Sequence, residues 1–167
     1  MVTDTQELTP ELKVAFSGTA TLLPKQEAFV RATVLELLQK LQQRLPDTVR
    51  ATVITGACIG VDAVIAEVAY LAGFYVHTFV PANLSKVDLR WPMHCSAYTQ
   101  VANGREPYRL RNQAMVDAAD FLVAFPGTPE KWPDGSLSRE GTWMTVRMAD
   151  KANKIDRSSS IFKLWEL

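Results

Sequence analysis

Cysteine and histidine are scarce: the 167 residues hold two of each, Cys58 and Cys95, His77 and His94. Neither type is grouped at the close spacing of a metal knuckle, and two distant cysteines make no disulfide framework. A resident metal, a stapled fold and a Cys-His nucleophile pair are therefore disfavoured, and a reduced cytoplasmic protein without metal or cofactor is expected. An excess of one charge is missing too. Lys plus Arg and Asp plus Glu both total 18, for a formal net charge of zero, which speaks against a broad basic surface for nucleic acid and leaves room only for a local basic cleft. There is no apolar run of about eighteen residues, which argues against a membrane span. The polar opening MVTDTQELTPE lacks the basic and apolar regions of a signal peptide. Repeats and low-complexity tracts are absent.

What is present is apolar patterning, with 47% hydrophobic residues, enough for one well-buried core. A single domain over 1–167 is expected, with 1–11 as a flexible leader. Ala51 to Gly73 organises the rest. A β-branched run (Val53, Ile54, Thr55) leads into a small-residue turn (Gly56, Ala57, Cys58, Ile59, Gly60). Then Val61, Val64, Ile65, Val68 and Leu71 recur at helical steps until Gly73 stops them. Leu12 to Phe16 reads as an earlier strand ending in Ser17-Gly18-Thr19. Pro24 to Leu45 reads as a long amphipathic helix, and Phe74 to Val80 as a strand stopped by Pro81. The stretch 82–107 loses periodicity and is expected to be an irregular functional loop. Beyond it come a helix over Tyr108 to Ala119, a strand over Asp120 to Phe125, and a second irregular stretch from Thr128 to Arg139. A helix from Gly141 to about Asn153, with Thr142 as its N-cap, and a closing strand over Ile161 to Trp165 complete the chain. Strands alternating with helices predict a doubly wound, mainly parallel α/β sheet of about five or more strands, covered on both faces in Rossmann-like fashion.

In such sheets ligands sit outside the carboxyl ends of the strands. The turns at Gly18-Thr19, Gly56 to Asp62, Gly127 and Gly141-Thr142 should share that rim, where main-chain N–H groups suit phosphate. Arg109, Arg111 and Asn112 are candidates to close over the ligand, the guanidinium of Arg111 gripping phosphate and Asn112 a sugar or base. Asp62 is a candidate for a ribose hydroxyl, Ala57 for the wall of the turn, and Trp91, Trp132 and Tyr98 for stacking on a base. Cys58, at a helix start, reads as a small packed residue or, alternatively, as a thiol of lowered pKa. Glu140 and Glu130 are the acidic residues near the last turn that could serve as a general base.

Taken in order, the segments VAFSGT (14–19), TGACIGVDAVIAEVAYLAG (55–73), YRLRNQAMVDAADFLVAFPG (108–127) and EGTWMTVRMADK (140–151) resemble the SLOG superfamily. That superfamily unites the Smf/DprA DNA-processing proteins with the LOG proteins. Gly56, Gly60 and Asp62 match its glycine-rich turn, Arg111-Asn112 the RN pair of the DNA-processing branch, and Gly141-Thr142 with Thr145 and Arg147 that branch's last motif. The resemblance implies a nucleotide or nucleotide-derived ligand on the rim, and a homodimer, for which the outer face of the long first helix is a candidate. It also implies two alternatives: a LOG-like phosphoribohydrolase cleaving nucleoside monophosphates, and an accessory to DNA processing. The chain departs from the pattern in carrying Glu140 where the DNA-processing branch has serine and Ala66 where a histidine is common. Thr145 stands where the enzymatic branch has its catalytic glutamate, and residues 128–140 intervene between the two halves of that branch's PGGxGT motif.

Overall fold

The computed structural model describes residues 10–167. Five strands form one sheet: β1 (Glu11–Gly18), β2 (Arg50–Thr55), β3 (Tyr75–Val80), β4 (Ala97–Gln100) and β5 (Phe121–Phe125). Their order is β4-β3-β2-β1-β5, with every neighbouring pair parallel. The helices are α1 (Pro24–Arg44), α2 (Val61–Leu71), α3 (Pro107–Ala118) and α4 (Gly141–Lys151).

Strand alternation decides which helices cover which face. Val14, Phe16, Val53, Val76, Val123 and Phe125 pack against α1 and α2 through Val30, Val34, Leu38, Val61 and Ile65. The intervening residues Ala15, Ile54, Phe79, Leu122 and Ala124 meet α3 and α4 through Met115, Val116, Trp143 and Val146. Both faces of the central strands are therefore sealed, which is why they read as nearly unbroken apolar runs.

The chain steps outward from β1 to β4 and then returns to place β5 on the other side of β1. Strand order reverses at that point, and the carboxyl ends of β1 and β5 open a crevice.

Four expectations are corrected. The stretch 82–107 is not wholly irregular: a 3-10 turn, Trp91–His94, leads into β4. The segment 161–165 forms no full strand. It runs beside β5 through a single parallel bridge, Ala124 to Ile161, and ends in a 3-10 turn at Leu164–Glu166. Its backbone bonds, Phe162 N–H to Ala124 and Leu164 N–H to Pro126, still cover the outer edge of β5, and Phe162 stacks on Phe125 at 5.1 Å. Glu140, not Thr142, is the N-cap residue of α4. Glu11 already starts β1, so a flexible segment reaching residue 11 is ruled out at that residue; the rest of the expected leader, residues 1–9, lies outside the described residues. Among the described residues no helix is long and apolar enough to cross a membrane, and no cluster of His, Cys, Asp and Glu could hold a metal ion.

Candidate functional site

A cleft of about 450 Å³ opens at the reversal of strand order. Its floor is the end of β1 and the turn after it, Ser17 to Thr21. One wall is α3, with Tyr108, Arg111, Asn112 and Met115. The other is the start of α4, with Arg139, Glu140, Gly141, Thr142 and Met144. Lys86 reaches it from the loop after β3, and Cys58 and Asp62 form its back.

Arg111 and Asn112 are both only 6% exposed, so the RN pair is an interior feature. The Arg111 guanidinium donates from Nε to Asn112 Oδ1 at 2.8 Å, from Nη1 to the Gly56 carbonyl, and from Nη2 to Cys58 Sγ at 3.4 Å, with Asp62 Oδ2 3.8 Å from Nη1. Each of its nitrogens thus faces a group of the protein, and it fastens α3 to the turn after β2 in place of the expected grip on phosphate.

The same bond fixes Asn112. A guanidinium can only donate, so the amide must present its oxygen to Arg111 and turn Nδ2 the other way. Among the described residues Nδ2 has no acceptor. It points toward the first residue of α4, where a Cβ placed on Gly141 would lie 3.9 Å from it. On a residue that is itself buried, this donor is held in orientation and open to the cleft, where a ligand acceptor could meet it.

Asp62 is buried, and its Oδ2 accepts the Cys58 N–H at 3.2 Å. Burial pushes its carboxyl upward against the opposing pull of Arg111 and of that N–H. For Cys58 the reactive alternative fails: burial, then the neighbouring Asp62, raise its thiol, and Arg111 offsets only part of this. It is a packed thiol.

The glycines of the turn serve the chain itself. A Cβ on Gly18 would stand 2.5 Å from Val61, and one on Gly56 2.7 Å from Asp62 Oδ2 and in the Arg111 guanidinium. One on Gly60, whose φ is +83°, would fall 2.6 Å from Ala20. Several main-chain donors of the turn are likewise occupied: Cys58 by Asp62, Ile59 by the Lys86 carbonyl at 2.9 Å, and Val61 by the Thr19 carbonyl at 3.0 Å. Thr19 also gives its own N–H to Phe125 at 3.1 Å and so ties β1, β5 and α2 together.

Of the sequence candidates, Gly18, Thr19, Asp62, Arg111, Asn112, Glu140, Gly141 and Thr142 therefore meet around the cleft. Gly56 lies beneath Arg111. Ala57 and Gly60 line a separate groove of about 370 Å³ beside α2. Arg109 is exposed, pairs with Glu106 at 3.8 Å and lines the next groove across α4. Gly127 gives its N–H to Glu140. Glu130 is absent from the cleft and holds Arg147 at 3.1 Å and Arg157 at 3.0 Å. The expected stackers Trp91, Trp132 and Tyr98 do not line the cleft. Lys86, Tyr108 and Arg139 do, and sequence reading passed them over. Tyr108 bonds both the Ser85 hydroxyl and the Lys86 N–H at 3.1 Å, so it anchors the loop that brings Lys86 in; its position at the start of a helix rich in arginine was the only signal.

No family model matches the chain, and no curated protein matches its sequence. Solved structures do match its fold. DNA processing protein A from Helicobacter pylori, described as having a unique single-stranded DNA binding mode, superimposes with a TM-score of 0.57 at 16% identity, over 91% of this chain and 68% of its own. The protein TM1055 gives 0.55 at 18% identity, over 87% of this chain and 71% of its own. DNA processing protein A from Streptococcus pneumoniae gives 0.61 at 13% identity over 86% of this chain, which spans only 48% of that protein. The backbone course thus agrees with the architecture expected from motif order in the sequence: the chain has the Rossmann-like fold of these DNA processing proteins and of TM1055.

Proposed function

We propose that the chain binds a nucleotide or nucleotide derivative in the cleft between α3 and α4. The observation that carries this is the Asn112 amide, buried and oriented by Arg111, with Nδ2 facing the cleft. Around it stand the groups such a ligand uses. At the start of α4 the Trp143 N–H returns to the Glu140 carbonyl, while the N–H groups of Gly141 and Thr142 have no acceptor among the described residues and suit a ligand oxygen. Lys86 and Arg139 add cationic charge at the mouth, and Tyr108 offers a ring. The volume, about 450 Å³, lies in the range of small-ligand sites. A fold neighbour described as binding single-stranded DNA is consistent with a site that takes one nucleotide unit.

Calorimetric titration with a panel of nucleoside monophosphates tests the proposal. At least one should bind, and Asn112→Asp should weaken it tenfold or more, about 1.4 kcal/mol, because the substitution keeps the acceptor for Arg111 and replaces the donor with a negative charge. Absence of binding across the panel at millimolar concentration would refute it.

Binding without turnover is the reading favoured here. Glu140 commits both carboxylate oxygens to Gly127, Thr128 and Thr142, and Glu130 is paired with two arginines away from the cleft. No free base should therefore appear when the panel is incubated with the protein. Neutral net charge predicts weak, salt-sensitive retention of single-stranded oligonucleotides in a gel shift.

A further inference from the structure

Glu140 sits in an unusual concentration of donors. Its carboxylate accepts the Gly127 N–H at 2.9 Å to Oε1 and 3.1 Å to Oε2, the Thr128 N–H at 3.2 Å, the Thr128 hydroxyl at 2.9 Å and the Thr142 hydroxyl at 3.2 Å. Two successive main-chain N–H groups and two hydroxyls converging on one anion, beside the start of an eleven-residue helix, make a nest for negatively charged oxygen. In this chain the anion is supplied from within. The carboxylate belongs to the N-cap residue itself, the position where a short Ser, Thr, Asp or Asn is ordinarily preferred. On the same side of the cleft the side chain of Asn112, a 6% exposed residue, turns Nδ2 toward Gly141 with no protein acceptor among the described residues, a further donor that the protein does not use.

We propose that Glu140 is a built-in counter-anion that determines specificity: it fills the nest between β5 and α4 and excludes a ligand's phosphate or carboxylate from it. Removing the side chain should convert the nest into an anion site. This deepens the nucleotide reading by stating where a bound phosphate cannot sit, and rests on it only in that respect, since the nest can be probed with inorganic phosphate alone.

Glu140→Ser and Glu140→Ala open the nest; Glu140 itself makes no side-chain cap hydrogen bond to α4, and the serine offers the helix a preferred N-cap residue. Amide NMR spectra of the wild-type protein and both variants are followed during titration with inorganic phosphate, with sodium chloride at matched ionic strength as control. In the variants the Gly127 and Thr128 amide resonances should shift saturably, with an apparent affinity at least tenfold tighter than any response of the wild-type protein. The thermal midpoint lost on substitution should be recovered by phosphate and not by chloride. A variant that folds only when phosphate is present supports the proposal equally. Folded variants whose Gly127 and Thr128 amides respond no more than wild type, or variants that stay unfolded with and without phosphate, overturn it and leave Glu140 as a structural tie between the loop and α4. Nucleotide binding can fail while this result holds, and the reverse, so the two readings are separable.

Discussion

Arg111 looks in the sequence like a hand held out for phosphate, and the structure turns that hand inward. With each nitrogen facing Gly56, Cys58, Asp62 or Asn112, the guanidinium holds the turn after β2 against α3. Arg111→Ala should therefore lower stability in urea unfolding by about 3 kcal/mol or more, because a buried carboxylate is left without its partner. Adding Asp62→Asn should recover part of the loss, and the double-mutant cycle measures the coupling. The sequence carried the identity of the pair; it could not carry the direction of the side chain, which depends on where Gly56 and Cys58 are brought from another element. Glu130 presents the same limit. As a loop glutamate it reads as a candidate base, yet it ties α4 to the tail. Burial alone would raise its carboxyl, but Arg157 and Arg147 outweigh that and hold it below the ordinary value of 4.5. A depressed folded pKa means stabilisation that is present above pH 4.5 and lost as pH falls through the folded value. Glu130→Gln should then cost about 0.5 to 1 kcal/mol at pH 7, since the partners are partly exposed, and the difference from wild type should shrink progressively as pH falls below 4.5 in acid titrations of stability.

Among the elements, the turn between β2 and α2 shows what its glycines are for. Gly60 and Gly73 both have positive φ, +83° and +87°, but only Gly60 is crowded by Thr19 and Ala20, while Gly73 faces open space. Gly73→Ala should cost about 1 kcal/mol from left-handed strain, and Gly60→Ala about 2 kcal/mol or more, a difference measurable from denaturant midpoints. Periodicity made α1, α2, β2 and β5 legible, since each presents a regular apolar face to a helix or sheet. It could not reveal β4, whose residues Ala97 to Gln100 pair on one side only and leave Tyr98, Thr99 and Gln100 exposed, so no apolar alternation is required of them. It overstated the tail, where Ile161, Phe162 and Leu164 are apolar because they cover β5, although only one bridge forms. Hydrogen exchange should follow the same division: amides of β1 and β2, flanked by strands on both sides, exchange slowest, and those of β4 exchange markedly faster. Equal protection across the sheet would show that β4 is held more firmly than an edge pairing explains.

For the whole molecule, strand order does most of the work. Returning from β4 to lay β5 beside β1 places the start of α4 opposite α3 across the ends of β1 and β5. Residues far apart in the chain, Ser17, Lys86, Asn112 and Thr142, come to line one cleft. The rim was foreseeable, because parallel alternation fixes which end of every strand carries the turns. The division of that rim was not: α2 separates the cleft from a second groove that takes Ala57 and Gly60, and the nest at Gly127 is filled by Glu140. The most direct measurement is an amide NMR titration of the wild-type protein with a nucleoside monophosphate that includes side-chain resonances. Saturable shifts should gather on the Asn112 side-chain amide, on residues 17–21 and on Gly141 and Thr142, and should be lost in Asn112→Asp. Shifts confined to the groove lined by Gly60, Arg90 and Trp91, or a spectrum unchanged at millimolar ligand, would contradict the placement of the nucleotide between α3 and α4.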